Sequence, residues 1–205
     1  AGPSKEFAER FINELRKYSK KPIKYLVISH RHFDHAYGIE VYIKKKVTIF
    51  IDKTEYSYLK KEGPLINNLL IKNLGFNEDN INFDNISEEK INFLADSIEV
   101  NLGNRRVLIK NLGIAHTKGD LIAYDFNTNT YITGDVIFIG RAAAFSDANI
   151  PMWINVINNK LDLSWDYLIP GHGSIINNKL ELNDTKNWLY FLDNAAKQAV
   201  SEGDM

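Results

Sequence analysis

"SHRHFDHAYG", Ser29 to Gly38, places three histidines and an aspartate within the six positions from His30 to His35. The whole chain has only five histidines and no cysteine. In an extended segment, side chains at i and i+2 point the same way, so His30 and His32 converge on one point. A turn at Phe33 then lets Asp34 and His35 face a neighbouring point. The stretch directly follows "IKYLVIS" (Ile23 to Ser29), a short apolar, β-branched run that reads as a buried strand. Donors this crowded at a strand end suit two adjacent metal ions.

The remaining histidines share that setting. His116 lies in "GIAHTKGD" after the predicted strand "RRVLIKNL", and His172 lies in "LIPGHGS" after "WDYLI". Asp135 in "YITGDVIF" repeats the pattern of strand, glycine and carboxylate. Glycine beside a donor lets the backbone come close to a bound group. Taken singly, a His-x-His is commonplace and a Gly-Asp pair is an ordinary turn former. Here no histidine is left over for a structural role. Five histidines with Asp34 and Asp135 exceed the four ligands of one tetrahedral ion, and they suit two ions with a shared carboxylate.

Composition bounds the rest. At 205 residues the chain suits a single domain, 1–205, with a buried core. It is 44% hydrophobic and 25% charged, an ordinary globular balance. A net charge of -1 argues against a general nucleic-acid binder. No apolar stretch approaches the ~18 residues of a membrane span. The chain is therefore expected to be soluble, in a bacterial periplasm or cytoplasm, with a small molecule as substrate. It opens at Ala1 without a methionine or a signal peptide, so processing could have removed a targeting segment. The absence of cysteine excludes disulfides, thiolate nucleophiles and Cys-ligated zinc, and leaves the compartment open.

Along the chain, Ser4 is a plausible N-cap for a helix carrying Phe7, Phe11, Leu15 and Tyr18 at helical spacing. That helix ends near Ser19, because Lys21 before Pro22 is biased away from helical geometry. After the histidine cluster come a second strand, "VTIFI" (Val47 to Ile51), and a helical region broken near Gly63-Pro64. "INFLAD", "SIEVNL", "RRVLIKNL", "LIAYDF" and "TYIT" then read as an antiparallel sheet. Helical patterns return over 149–160 and 182–200, flanking "WDYLI". Trp153, Trp165 and Trp188 are expected to pack helices on the sheet. Helices at both ends of a strand-rich centre predict an α/β (α+β) chain with helices outside a mixed β core.

On these residues the chain resembles the metallo-β-lactamase superfamily. His30-x-His32-x-Asp34-His35, followed in order by His116, Asp135 and His172, looks like that family's metal motif, over Ser29 to Gly173. The resemblance implies a four-layer αβ/βα sandwich with metals at one edge. It implies that His30, His32 and His116 hold a first metal, that Asp34, His35 and His172 hold a second, and that Asp135 bridges them. Members usually carry several strands before the first helix, ending in an Asp-x-Gly turn. "AGPSKEFAERF" looks like sequence just after that turn. The first sheet is therefore expected to lack its N-terminal strands, and to be completed by a second chain or by a missing segment.

Function follows as an expectation. Two zinc ions per chain, or iron or manganese in their place, would lower the pKa of a bound water toward ~7. That supplies a nucleophile for an ester, thioester, lactam, phosphoester or sulfoester, with Asp34 and Asp135 as the catalytic carboxylates. Lys118 and Arg141, close in sequence to ligands, are candidates to meet a substrate anion. An Asp135 bridge resembles the thioesterase and phosphodiesterase branches more than the true β-lactamases. "GDVIFIGRAAAFSDANIPMWINVINNKLDLSWDYLIPGHG" is similar to zinc metallohydrolases associated with quinoproteins and sulfur oxidation. The alternatives are a mononuclear iron enzyme like the persulfide dioxygenases, and a non-catalytic scaffold on the same fold.

Overall fold

The computed structural model describes residues 1–75, 86, 88–161 and 164–203. The chain divides into two compact units, Ala1–Ala95 and Asp96–Met205.

In the first unit, helix α1 (Lys5–Tyr18) starts at Ser4, whose hydroxyl accepts the Phe7 N–H at 3.1 Å. Glu6 in its first turn and Arg16 and Lys17 in its last complement the helix dipole. The apolar spacing located this helix correctly, yet the residues it buries are Ala8 and Ile12. Phe7, Phe11, Leu15 and Tyr18 lie beside that face and stay exposed, with the rings of Phe7 and Phe11 stacked at 6.5 Å. The small Ala8 is what allows close approach. A Cβ at Gly38 would lie 2.8 Å from Ala8 Cβ and 2.9 Å from the Ser4 carbonyl, so only glycine fits there.

The chain continues through β1 (Tyr25–Val27), α2 (Phe33–Ala36), α3 (Ile39–Lys44), β2 (Thr48–Ile51), α4 (Lys53–Leu74) and β3 (Ile91–Phe93). These strands form a three-stranded parallel sheet in the order β1-β2-β3, with Leu26 opposite Ile49 and Phe50 opposite Asn92. Ile28, Ile39, Ile49, Ile51 and Leu59 fill the core beside it. Two sequence expectations need correction. "INFLAD" does not open the antiparallel sheet, because β3 pairs in parallel with β2; α4 supplies the long crossover that parallel pairing requires. Nor does α4 break at Gly63-Pro64. Proline costs one helical hydrogen bond, but the 22-residue helix is secured at both ends, by the Asp52 cap and by left-handed Gly75.

The second unit holds β4 (Ser97–Asn101), β5 (Arg106–Asn111), β6 (Leu121–Asp125), β7 (Thr130–Ile132), α5 (Ile150–Asn159), β8 (Tyr167–Ile169) and α6 (Asn183–Glu202). Its sheet runs β4-β5-β6-β7-β8, antiparallel as far as β7, after which β8 joins β7 in parallel. The core packs Trp153, Phe138, Ile137, Leu168 and Leu189 together. Trp153 is fully buried with its Nε1–H donated to the Val136 carbonyl at 2.9 Å, and Trp188 donates to the Ala143 carbonyl at 2.9 Å. Trp165 is also buried, and Trp188 packs against the same core, so the tryptophans pack as expected. Among the described residues, no helix is long and apolar enough to cross a membrane.

Candidate functional site

In the first unit the donor segment leaves the carboxyl end of β1. Pairing carries on one residue beyond the strand, with the Ile28 N–H donating to the Phe50 carbonyl at 2.9 Å. Helix α2 starts immediately after His32, whose carbonyl accepts the N–H groups of His35 and Ala36 at 3.0 Å each. The bend at Arg31 and the helical turn that starts after His32 bring these four donors close together. His30 is fully buried, and its Nε2 lies 3.0 Å from His32 Nδ1. Ser29 Oγ lies 3.1 Å from His30 Nδ1 and 3.4 Å from His35 Nδ1. Ser29 therefore orients two rings, a role no sequence signal announced. Asp34 Oδ2 lies 3.4 Å from His35 Nε2.

The second unit gathers its donors from three separate loops. Since β5 and β7 both run antiparallel to β6, they point the same way, and β8 is parallel to β7. The carboxyl ends of β5, β7 and β8 therefore share one edge of the sheet, where the loops of His116, Asp135 and His172 emerge. Asp135 Oδ2 lies 3.4 Å from His116 Nε2 and also 3.4 Å from His172 Nε2. His116 and Asp135 are almost wholly buried, and the His116 ring packs edge-on against Trp153 at 5.1 Å. Water is thus largely excluded from this pair, which strengthens any charge interaction they make.

Tight backbone packing fixes these loops. The Gly171 N–H donates to the Gly134 carbonyl at 2.7 Å, and the Ile139 N–H donates to the His172 carbonyl at 3.0 Å. A Cβ on Gly171 would collide with Asp135 Oδ1 and sit 2.6 Å from the Gly134 carbonyl carbon. The glycine before His172 is therefore required by the carboxylate beside it. After His116, the buried Asp120 accepts the Thr117 N–H and hydroxyl, each at 2.9 Å, and closes the loop. No sequence signal marks Asp120, because a Gly-Asp pair looks like any turn. Lys118 is exposed on this same loop. Arg141 is exposed beside Gly140, whose N–H is held by Asp184 Oδ2 at 2.8 Å.

Chemically, both units present imidazole nitrogens and carboxylate oxygens, the donors that suit zinc and other divalent cations of intermediate softness. A buried carboxylate oxygen equidistant from two imidazole nitrogens, beside a glycine that leaves room for it, fits a metal-ligating position. The observed donor chemistry is compatible with the metal the resemblance implies.

The sequence of residues 1–191 matches the metallo-beta-lactamase superfamily. No curated protein matches the chain significantly. Among solved structures, a metallo-beta-lactamase from Pontibacter korlensis superposes with a TM-score of 0.67 at 18% identity, over 93% of this chain and 80% of that one. The DIM-1 metallo-beta-lactamase gives 0.66 at 17% identity, over 94% and 80%. The metallo-beta-lactamase IND-7 gives 0.68 at 18%, over 89% and 75%. At such low identity these likenesses establish a common fold, and they leave the reaction open.

Proposed function

The chain belongs to the metallo-beta-lactamase superfamily, and we propose that it is a metal-dependent hydrolase whose two donor sets serve one dinuclear zinc centre within a single domain. In this reading His30, His32 and His116 hold one ion, Asp34, His35 and His172 hold the other, and Asp135 is shared. The observation that carries the proposal is Asp135, whose Oδ2 stands 3.4 Å from each of two histidine nitrogens. Imidazole nitrogens and a carboxylate oxygen brought this close together make a donor set that suits a divalent cation.

Bound zinc supplies an activated water at neutral pH and polarises the substrate oxygen. The protein's own residues do the rest. Ser29 orients the rings of His30 and His35, and Asp120 shapes the loop that presents His116. Asp135, with its side chain 4% exposed, is the fixed carboxylate; Asp34, at 30%, is the one that substrate and solvent can reach. We assign Asp34 the task of accepting a proton during turnover and Asp135 that of holding geometry. Lys118 and Arg141, both exposed, would attract an anionic substrate from solution.

The substrate class proposed is a carbonyl, phosphoryl or sulfuryl ester, a thioester or a lactam. The test is a hydrolysis panel of a thioester, a lactone, a phosphodiester and a β-lactam, run with and without a chelator. Turnover of at least one substrate, lost on chelation and restored by zinc, is expected. A single bound iron with oxygen uptake would instead establish the dioxygenase reading. Protein still inert towards the whole panel after zinc reconstitution would leave the scaffold reading.

A further inference from the structure

Arg31, the residue between the first two histidines, is buried to 7% exposure against Glu55, which is completely buried. Glu55 comes from the first turn of α4, where the Asp52 cap accepts the N–H groups of Thr54 at 2.7 Å and Glu55 at 3.1 Å. Because β1 and β2 are parallel, the loop leaving one and the helix leaving the other start from the same sheet edge. Glu55 uses that proximity twice. Its carboxylate accepts from Arg31 Nη1 at 3.1 Å through both oxygens, and its Oε2 also accepts the Arg31 backbone N–H at 3.1 Å. The same face of α4 adds Tyr58, whose ring lies 4.8 Å beneath the guanidinium, and Glu62, 3.5 Å from Nε.

A buried ion pair is a poor route to stability, because desolvation offsets most of the attraction. Anchoring α4 would need only the Arg31 side chain. The bond to the Arg31 backbone does something else, for it fixes the peptide between His30 and Arg31, in the middle of the segment that carries His30 and His32. We propose that Glu55 and Arg31 are positioning residues that hold the His30 and His32 rings in a preformed metal-binding pose. This rests on the metal-binding reading above. Groups that orient metal ligands without touching the metal typically govern affinity by about 10–100-fold.

The test compares wild type with Glu55→Ala, Glu55→Gln and Arg31→Lys. Zinc affinity is read by competition with a chromophoric chelator, and imidazole nitrogen NMR spectra are read on the metal-free proteins. Glu55→Ala should weaken zinc binding about 10–100-fold. Glu55→Gln keeps one oxygen for the backbone N–H and should recover part of that loss. In the metal-free spectra Glu55→Ala should move the His30 and His32 signals and leave His116 and His172 in place. Zinc affinity within about twofold of wild type, together with unmoved His30 and His32 signals, would overturn the proposal and leave a purely structural pair. If Glu55→Ala does not fold, Glu55→Gln carries the same readouts in the same directions, while Arg31→Lys, which keeps the backbone bond, should change them less. Should wild type bind no zinc, the hydrolase reading fails while the metal-free spectra still decide whether Glu55 positions the histidines.

Discussion

The two units supply donors in opposite ways. The first takes His30, His32, Asp34 and His35 from one short segment, where β1 hands over to α2. The second takes His116, Asp135 and His172 from three loops that only a correctly paired sheet brings together. Local geometry is enough to cluster the first set, and α4 then clamps it through Glu55. The second set depends on long-range register, and glycine and Asp120 hold it in place. The difference teaches where each half is vulnerable: the first through its donors and one ion pair, the second through its backbone.

The most severe way to probe that contrast removes one donor from each set. His32→Ala and His116→Ala should each lower zinc content and reduce hydrolysis by at least ~100-fold, beyond the effect of orienting groups. Plasma emission spectroscopy with a rate assay checks this, and one silent substitution would break the proposal that both donor sets bind metal. Next in size is backbone crowding. Gly171→Ala should cost about 3 kcal/mol, because the new methyl meets the Asp135 carboxyl and rigid backbone. Gly75→Ala, left-handed at φ 68° but with nothing within 4 Å, should cost only about 1 kcal/mol and keep full activity. Urea unfolding of both variants makes the comparison.

A smaller effect is expected at Asp120. Replacing it with alanine strips the buried Thr117 of two bonds and should cost about 2 kcal/mol. His116 then loosens, so activity should fall more than stability does, which rate and melting measurements separate. The mildest effect lies at the opposite edge of the second sheet, at the end of β6. Burial pushes the Asp125 carboxyl up, but the Thr128 hydroxyl, the Asn127 N–H and Arg105 together outweigh it and hold the group below the ordinary carboxylate value. A carboxyl lowered in the folded state stabilises above its unfolded pKa of ~4, and that contribution is lost as pH falls through the folded value. Asp125→Asn should therefore flatten the stability profile at its acidic end and leave hydrolysis near neutrality unchanged. An unflattened profile would show that these bonds contribute nothing.

Legibility from sequence followed the same divide. The donor segment, the Ser4 cap and the second-unit strands were all readable, because each rests on local spacing or a single side chain. What escaped depended on partners remote in sequence. The core face of α1 was hidden because Ala8 and Ile12 look less hydrophobic than Phe7 and Phe11 beside them. The short apolar pattern of β3 is the same in either sheet, and only its parallel pairing with β2 separates it from the antiparallel run. Pro64 looked like a helix end, though capping at Asp52 and Gly75 carries α4 through it. Arg31 stood in plain view inside the motif, but its meaning required Glu55, 24 residues away.

The central claim is that both donor sets serve metal, and a metal count on the purified protein tests it most directly. Elemental analysis against protein concentration should return about two zinc ions per chain, falling in both His32→Ala and His116→Ala. A wild-type protein holding no metal after zinc reconstitution, or holding one iron instead, would contradict it.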